Sequence, residues 1–182
     1  MIMNAVELLI AMLLGIIASL MAWWILTHSL VPKILFAPFI SKVKVKGKED
    51  YKFRIGIRNI GNRDIIDVEI IIELIIKGFD KDVPSNTSYI QLKLNKPRLP
   101  KIKKKNQWAL TINTTNLPNS LLPVYKNKNF EDLLRIENAE AKIVVFGYDR
   151  FSGTRKVFES KHYTINDIEE KLFEKKYYGK YL

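Results

Sequence analysis

The chain of 182 residues contains no cysteine and only two histidines, His28 and His162. It can form no disulfide framework and offers no thiolate nucleophile, and neither histidine has a second His or a Cys at metal-ligand spacing. Its eight glycines are scattered, so no Gly-rich phosphate loop can be assembled from them. Asp149 and Ser152 fall in a turn signal where both are ordinary turn formers, and Glu131-Asp132 and Glu169-Glu170 begin helical patterns. No catalytic residue, metal site or cofactor is assigned, and the expectation is a protein that is not an enzyme. Charge is also missing in places. The first 32 positions hold one formal charge, Glu7, while all 30 Lys and Arg residues occur at Lys33 or later. No acidic residue lies between Val83 and Phe130, a stretch that carries Lys93, Lys96, Arg98, Lys101, Lys103, Lys104, Lys105, Lys126 and Lys128.

What fills the charge-free N-terminus is apolar. From Leu8 to Leu26 no residue is charged, and at about 1.5 Å per residue this stretch spans roughly 28 Å, the thickness of a bilayer's hydrocarbon core. A cleaved signal peptide fits poorly, because no Lys or Arg precedes Leu8 and no small-x-small site follows the run. A buried core helix of this length would carry a polar face. The segment 1–32 is therefore expected to be a transmembrane anchor and 33–182 a separate folded domain. Lys33, Lys42, Lys44, Lys46 and Lys48 all follow the helix, which predicts an N-terminus outside and a domain in the cytoplasm, at the cell membrane. Trp23 and Trp24 fall near the inner boundary, where amphipathic rings are favoured. The lack of cysteine agrees with a reducing compartment. Ala11, Gly15, Ser19 and Ala22 form a row of small side chains, the pattern that lets two helices approach closely in lipid. Glu7 is placed at the outer margin and His28, solvated, at the inner one.

The remainder reads mainly as strands. Phe53, Ile55 and Ile57 alternate with Arg54 and Arg58, and Val68, Ile70, Ile72, Leu74 and Ile76 alternate with Asp67, Glu69 and Glu73. Between them Asn59 to Asn62, with Gly61 flanked by Asn, predicts a hairpin. Further strands are expected over Tyr89 to Leu94, Trp108 to Asn113, Lys142 to Tyr148 and Arg155 to Tyr163, the last two joined by a hairpin at Asp149 to Gly153. Asn129 predicts a cap for a short helix carrying Phe130, Leu133, Leu134 and Ile136. Thr164 or Asn166 predicts a cap for a second, C-terminal helix carrying Ile168, Leu172 and Phe173, with Asp167, Glu169 and Glu170 in its first turn and Lys175 and Lys176 near its end. The class expected is mainly β, an antiparallel β-sandwich with short helices, preceded by one transmembrane helix.

Read in order, these segments resemble the cytoplasmic domain of inward-rectifier potassium channels. Ile34-Leu35-Phe36-Ala37 is similar to the family's segment after the inner helix, with Ala37 where Ser is usual. Phe53-Arg54-Ile55, Asn59 and Asp67-Val68 resemble its strand, Asn-containing turn and next strand. Pro123-Val124-Tyr125 resembles its Ser-Pro-Leu-Tyr segment, with Leu122 replacing Ser. Val144 to Asp149, Phe151-Ser152, Tyr163 and Asp167-Ile168 resemble its final hairpin and the turn that follows. The resemblance implies an immunoglobulin-like sandwich, four copies around an axis, and basic residues at the membrane-facing end that bind anionic phosphoinositides. The chain departs from the family in having no outer helix, no pore helix and no selectivity filter, so it is not a potassium-selective channel of that design. The Trp-Gly that follows the family's final Asp/Glu-Ile is replaced by Glu169-Glu170-Lys171.

Lys33 matches the family's membrane junction. Lys42, Lys44 and Lys46 alternate with Val43 and Val45, so one strand face is expected to present three ammonium groups to anionic headgroups. Lys101 to Lys105 has the charge to attract nucleic acid, but no base-stacking motif surrounds it, and attraction to anionic lipid is the simpler expectation. The function expected is a single-pass, oligomeric membrane protein whose cytoplasmic sandwich is a sensing or docking module. Its rivals are a pore-forming effector of bundled Gly15-containing helices and an accessory subunit of a separate channel or enzyme. No feature identifies a protein partner.

Overall fold

The structure, a computed structural model, describes residues 4–29, 31–47, 50–78, 86–113 and 129–173, with the side chains of 28 and 29 outside that set. The expectations placed on His28, Lys48, Pro123-Val124-Tyr125, Leu122, Lys126, Lys128, Lys175 and Lys176 lie outside the described residues or side chains.

Helix α1 covers Ala5–Trp24 and runs on as a π-helical turn, Ile25–Ser29. At its start the Asn4 N–H donates to the Glu7 carboxylate at 3.3 Å, so the one charge of the segment caps the helix end whose exposed amides favour an anion. Ala5 to Thr27 is long and apolar enough to cross a membrane, with a mean hydropathy of 2.4, and none of it is buried in the protein. A helix that is apolar all round needs an apolar surrounding. The hydroxyls present are satisfied within the helix, where Ser19 Oγ donates to the Gly15 carbonyl at 2.9 Å and Thr27 Oγ1 to the Trp23 carbonyl at 2.8 Å.

Among the described residues ten strands follow: β1 Ile34–Phe36, β2 Ile40–Lys44, β3 Tyr51–Asn59, β4 Ile65–Lys77, β5 Thr87–Leu94, β6 Arg98–Ile102, β7 Gln107–Asn113, β8 Ala139–Asp149, β9 Arg155–Glu159 and β10 Ile168–Glu169. They form one curled sheet in the order β10-β2-β3-β7-β5-β4-β8-β9, with β1 beside β3 and β6 beside β4. All pairings are antiparallel except β10 with β2. One half is built on β3 and the other on β4, and among the described residues they join edge to edge at Lys93–Asn113 and Leu94–Ile112, with the Asn95 N–H donating to the Thr111 carbonyl at 3.2 Å. The mainly β class expected from period-two patterning is what the chain adopts. The halves close on a shared core of Phe53, Ile55 and Ile57 from β3, Ile72, Leu74 and Ile76 from β4, and Ile143 and Val145 from β8. Helix α2, Phe130–Leu134, plugs this core with Phe130, Leu133 and Leu134, and the Phe53 and Phe130 rings lie 5.6 Å apart. Its cap is the expected Asn129, which exchanges hydrogen bonds of 3.0 Å with Asp132.

Strand β4 solves a parity problem. Asp67 has φ +48 and the pairing with β8 shifts between Ile66 and Glu69, so one extra residue is inserted. Ile65 is thereby buried on the same side as Val68, Ile70 and Ile72, which plain alternation would not allow.

Three expectations are corrected. The turn Asn59 to Asn62 does not close a hairpin, since β3 pairs with β1, β2 and β7, whereas β4 pairs with β5, β6 and β8. It is a crossover between the halves, and its Gly61 answers to a close backbone approach. An added Cβ would lie 2.5 Å from the Val31 carbonyl oxygen and 2.7 Å from the Pro32 carbonyl carbon. The expected C-terminal helix is a single 3-10 turn, Ile165–Asp167, followed by β10. Asp167 takes the Thr164 N–H at 2.8 Å, but Ile168 then pairs in parallel with Ile40, Ser41 Oγ donates to the Lys171 carbonyl, and Phe173 stacks on Phe39 at 5.3 Å. These tertiary partners outweigh the helical preference of a short segment. The strand expected over Arg155 to Tyr163 ends at Glu159, beyond which one bridge joins Tyr163 to Ala141.

Candidate functional site at the helix exit

The passage from helix to sandwich is fastened by backbone. The Lys33 carbonyl accepts the Ile60 N–H at 2.8 Å and the Gly61 N–H at 3.3 Å, and the Val31 carbonyl accepts the Asn62 N–H at 3.3 Å. Pro32 between them is buried. The segment Val31 to Lys33 that follows the helix is thus fixed to the Asn59 to Asp64 crossover.

Buried Asn59 holds that crossover to a second loop. Its Oδ1 accepts the Gly61 N–H at 3.0 Å, its Nδ2 donates to the Arg63 carbonyl at 2.7 Å, and its backbone N–H donates to the Asn106 carbonyl at 3.0 Å. The register of β4 brings in a third segment, because Ile65 pairs with Ile102 on one side and with Asp149 on the other. Three loops widely separated in sequence, 59–64, 101–106 and 149–154, therefore converge at the helix exit.

Two carboxylates organise the charges there. Asp64 accepts from Lys101 Nζ at 2.8 Å, from the Lys104 N–H at 2.8 Å and from Arg150 Nη1 at 3.4 Å. The Lys101 ammonium and the Lys104 amide hold its carboxyl down at about 2, against an ordinary 3.8. Asp149 is buried, which pushes its carboxyl up, but the Phe151 N–H, the Ser152 hydroxyl at 2.8 Å and the Arg63 guanidinium at 3.1 Å outweigh that and bring it below the usual range. Lys33, Lys103, Lys104 and Lys105 are left exposed, and none pairs with a carboxylate among the described residues. Lys105 has φ +59 and the Asn106 N–H returns to the Lys103 carbonyl at 3.1 Å, so these lysines sit on a tight turn.

The register divides the lysines singled out from the sequence. Lys33 precedes Ile34, which pairs with Asn59 at the helix-exit end of β3; Lys44 pairs with Tyr51 at its other end. At about 3.3 Å per residue those ends are roughly 26 Å apart. Lys46 lies in the β2–β3 turn, farther still along β2, and both it and Lys44 are exposed. Lys42 lies on β2 with its ammonium 2.9 Å from Glu131, 3.3 Å from Glu170 and 4.3 Å over the Tyr51 ring. The Glu131 bond raises the Lys42 pKa, and Arg135 followed by Lys42 lowers that of Glu131. Lys42 thereby ties α2 and the C-terminal segment to β2. Ala11, Gly15, Ser19 and Ala22 lie on the exposed helix, and an added Cβ at Gly15 meets nothing.

Asp64, Arg63, Arg150 and Phe151 at the helix exit were not read from the sequence as site residues. Their turns were visible, but their convergence depends on which strands flank β4. A shallow groove of about 300 Å³ between β1 and the end of β9 is lined by Leu35, Phe36, Ser160 and Tyr163. Among the described residues no three His, Asp or Glu side chains are grouped to hold a metal ion. No protein-family model matches the chain, and no curated protein matches it.

Proposed function

We propose that the chain is a single-pass membrane protein whose cytoplasmic sandwich is a docking or sensing module. The module sits with its helix-exit end against the anionic inner leaflet. The observation that carries this reading is the staple of Val31 and Lys33 to Ile60, Gly61 and Asn62, which holds the segment following the helix at one end of the sandwich. That end carries Lys33, Lys103, Lys104 and Lys105, and ammonium groups at an anionic surface are each worth about 1 kcal/mol. Lys33 keeps its assignment to lipid; Lys42, Lys44 and Lys46 are assigned to the opposite half of β3. The likeness to the inward-rectifier cytoplasmic domain belongs to the same proposal. The module is the docking half of such an arrangement without a filter, assembled as an oligomer through the small row Ala11, Gly15, Ser19 and Ala22.

The test uses the full chain in micelles and a fluorescent short-chain anionic phospholipid. Replacing Lys103, Lys104 and Lys105 by Gln weakens binding about a hundred-fold, from roughly 1 kcal/mol for each charge. Replacing Lys42, Lys44 and Lys46 leaves it within about three-fold. The reverse ranking would refute the assignment.

A further inference from the structure

Among the described residues, the hairpin between β8 and β9 carries the most exposed aromatic ring of the sandwich. Phe151 is 72 % exposed, more than Tyr89, Leu172, Val157 or Tyr148, the other large apolar side chains exposed on the sandwich. It is also held in place. Asp149 Oδ1 accepts its N–H at 3.1 Å, Ser152 Oγ donates to Asp149 Oδ2 at 2.8 Å, Gly153 at φ +66 closes the turn, and the Arg63 guanidinium lies 4.3 Å above one face of the ring. A ring presented in one position loses little freedom on docking.

Its place in the fold points to what it meets. Arg63 follows Asn62, whose N–H holds the Val31 carbonyl at the helix exit, and the Arg150 N–H donates to the Asp64 carbonyl at 3.2 Å. The ring therefore belongs to the loop cluster that holds the Val31 to Lys33 segment, a cluster that also carries exposed Arg150 and the Lys103 to Lys105 turn joined to it through Asp64. Asp149, the nearest carboxylate, is paired with Arg63 and presents no free negative charge. An apolar tip set among cations, in the loop cluster that holds the segment following an apolar helix, has the makeup of an interfacial contact, in which the ring enters the headgroup and acyl boundary while its basic neighbours stay at the phosphates.

We propose that the β8–β9 hairpin inserts Phe151 into the bilayer interface beside the anchor, giving the sandwich a second membrane contact that fixes its tilt and rotation. This rests on the membrane-anchored reading above and adds to it a lipid contact that is apolar rather than charged.

The absence of cysteine makes the test direct, because one introduced cysteine carries the only label. The full chain is reconstituted in phosphatidylcholine vesicles with and without anionic lipid, bearing a nitroxide at F151C, K104C or Y89C. Tyr89 pairs with Ile75, toward the far end of β4, and serves as the aqueous reference. Power saturation then compares collision with oxygen and with a nickel chelate. The expected result is an oxygen-to-nickel ratio at 151 several-fold above that at 89, in both lipid compositions. A ratio equal to that at 89 overturns the proposal. So does low collision with both reagents together with spin–spin broadening, which would mean that the hairpin meets a second copy. A label at 104 indifferent to anionic lipid, with 151 still in lipid, refutes the charge reading and supports this one; the opposite pattern sinks this one alone.

Discussion

Gly61 lies backbone to backbone against Lys33, donating its N–H to the Lys33 carbonyl at 3.3 Å and leaving no room for a side chain. Through this contact the segment that follows the helix is held against the sandwich. Gly61→Ala forces either the crossover or the Val31 to Lys33 segment to move. The expected loss is about 1–3 kcal/mol of stability, the usual cost of overpacking. Chemical denaturation of the full chain checks it, and the amides at positions 60, 61 and 62 should exchange faster in the variant. Unchanged exchange would mean that the junction is not stapled.

Gly15 presents the opposite case, with open space around it. Gly15→Leu leaves the helix intact in a single chain but fills the seam of the small row. Cross-linking in vesicles is expected to show the oligomer lost or reduced in this variant, with the sandwich's unfolding unchanged. An oligomer of unaltered size and yield would exclude this row from the helix interface.

Lys42 sits between Glu131 and Glu170 with its side chain 17 % exposed. Lys42→Met leaves both carboxylates without it, though Arg135 still reaches Glu131 at 2.7 Å. The expected cost is about 1 kcal/mol, the range of a partly exposed ion pair. Lys44→Gln, at an exposed position, should cost nothing measurable. Thermal unfolding of the two variants side by side separates a structural Lys42 from a solvated one.

Acid should loosen the helix-exit end through its carboxylates. Asp64 is held at about 2 in the fold against an ordinary 3.8, and Asp149 is also held below its usual range. A carboxyl depressed by folding contributes stability that is complete above its unfolded pKa and is lost as pH falls through the folded one. The stability difference between the wild type and Asp64→Asn is therefore expected to be constant at neutral pH. It should shrink as pH drops from about 4 toward about 2. Denaturant midpoints measured across that window test the sign; a difference that grows toward acid contradicts it.

Tyr163 is buried and its hydroxyl donates to the Ala37 carbonyl at 2.6 Å, tying the end of the β9 segment to the β1–β2 connection. Tyr163→Phe keeps the ring and orphans the carbonyl, at an expected cost of about 1–3 kcal/mol. Calorimetry of the variant should show a lowered midpoint without loss of cooperativity.

Much of the sandwich was legible because period-two alternation reports which face of a strand is buried. Phe53, Ile55 and Ile57 and the series Val68 to Ile76 read correctly for that reason, and Asn129 read as a cap because its chemistry is local. Strand β6 escaped notice because Arg98 to Ile102 includes Pro100 and two basic residues, a composition suited to an edge strand that pairs with β4 alone. The crossover at Gly61 looked like a hairpin because turn chemistry does not say which strands a turn joins. Of the two caps expected, Thr164 rather than Asn166 precedes the 3-10 turn, and the chain after it found Ile40 and Phe39, contacts distant in sequence. The helix-exit site was hidden by the same cause. Asp64, Lys101 and Asp149 meet only because Ile65 pairs with both Ile102 and Asp149, and no local pattern encodes that pairing.

If the stapled end of the sandwich faces the membrane, the distances from two introduced labels to the headgroup layer differ in a set order. Donor dyes at K104C or K44C in the full chain, with acceptor lipids in the vesicle, should place residue 104 nearer the bilayer than residue 44 by about 25 Å, the length of β3 between its paired ends. Equal distances, or residue 44 the nearer, would contradict the account.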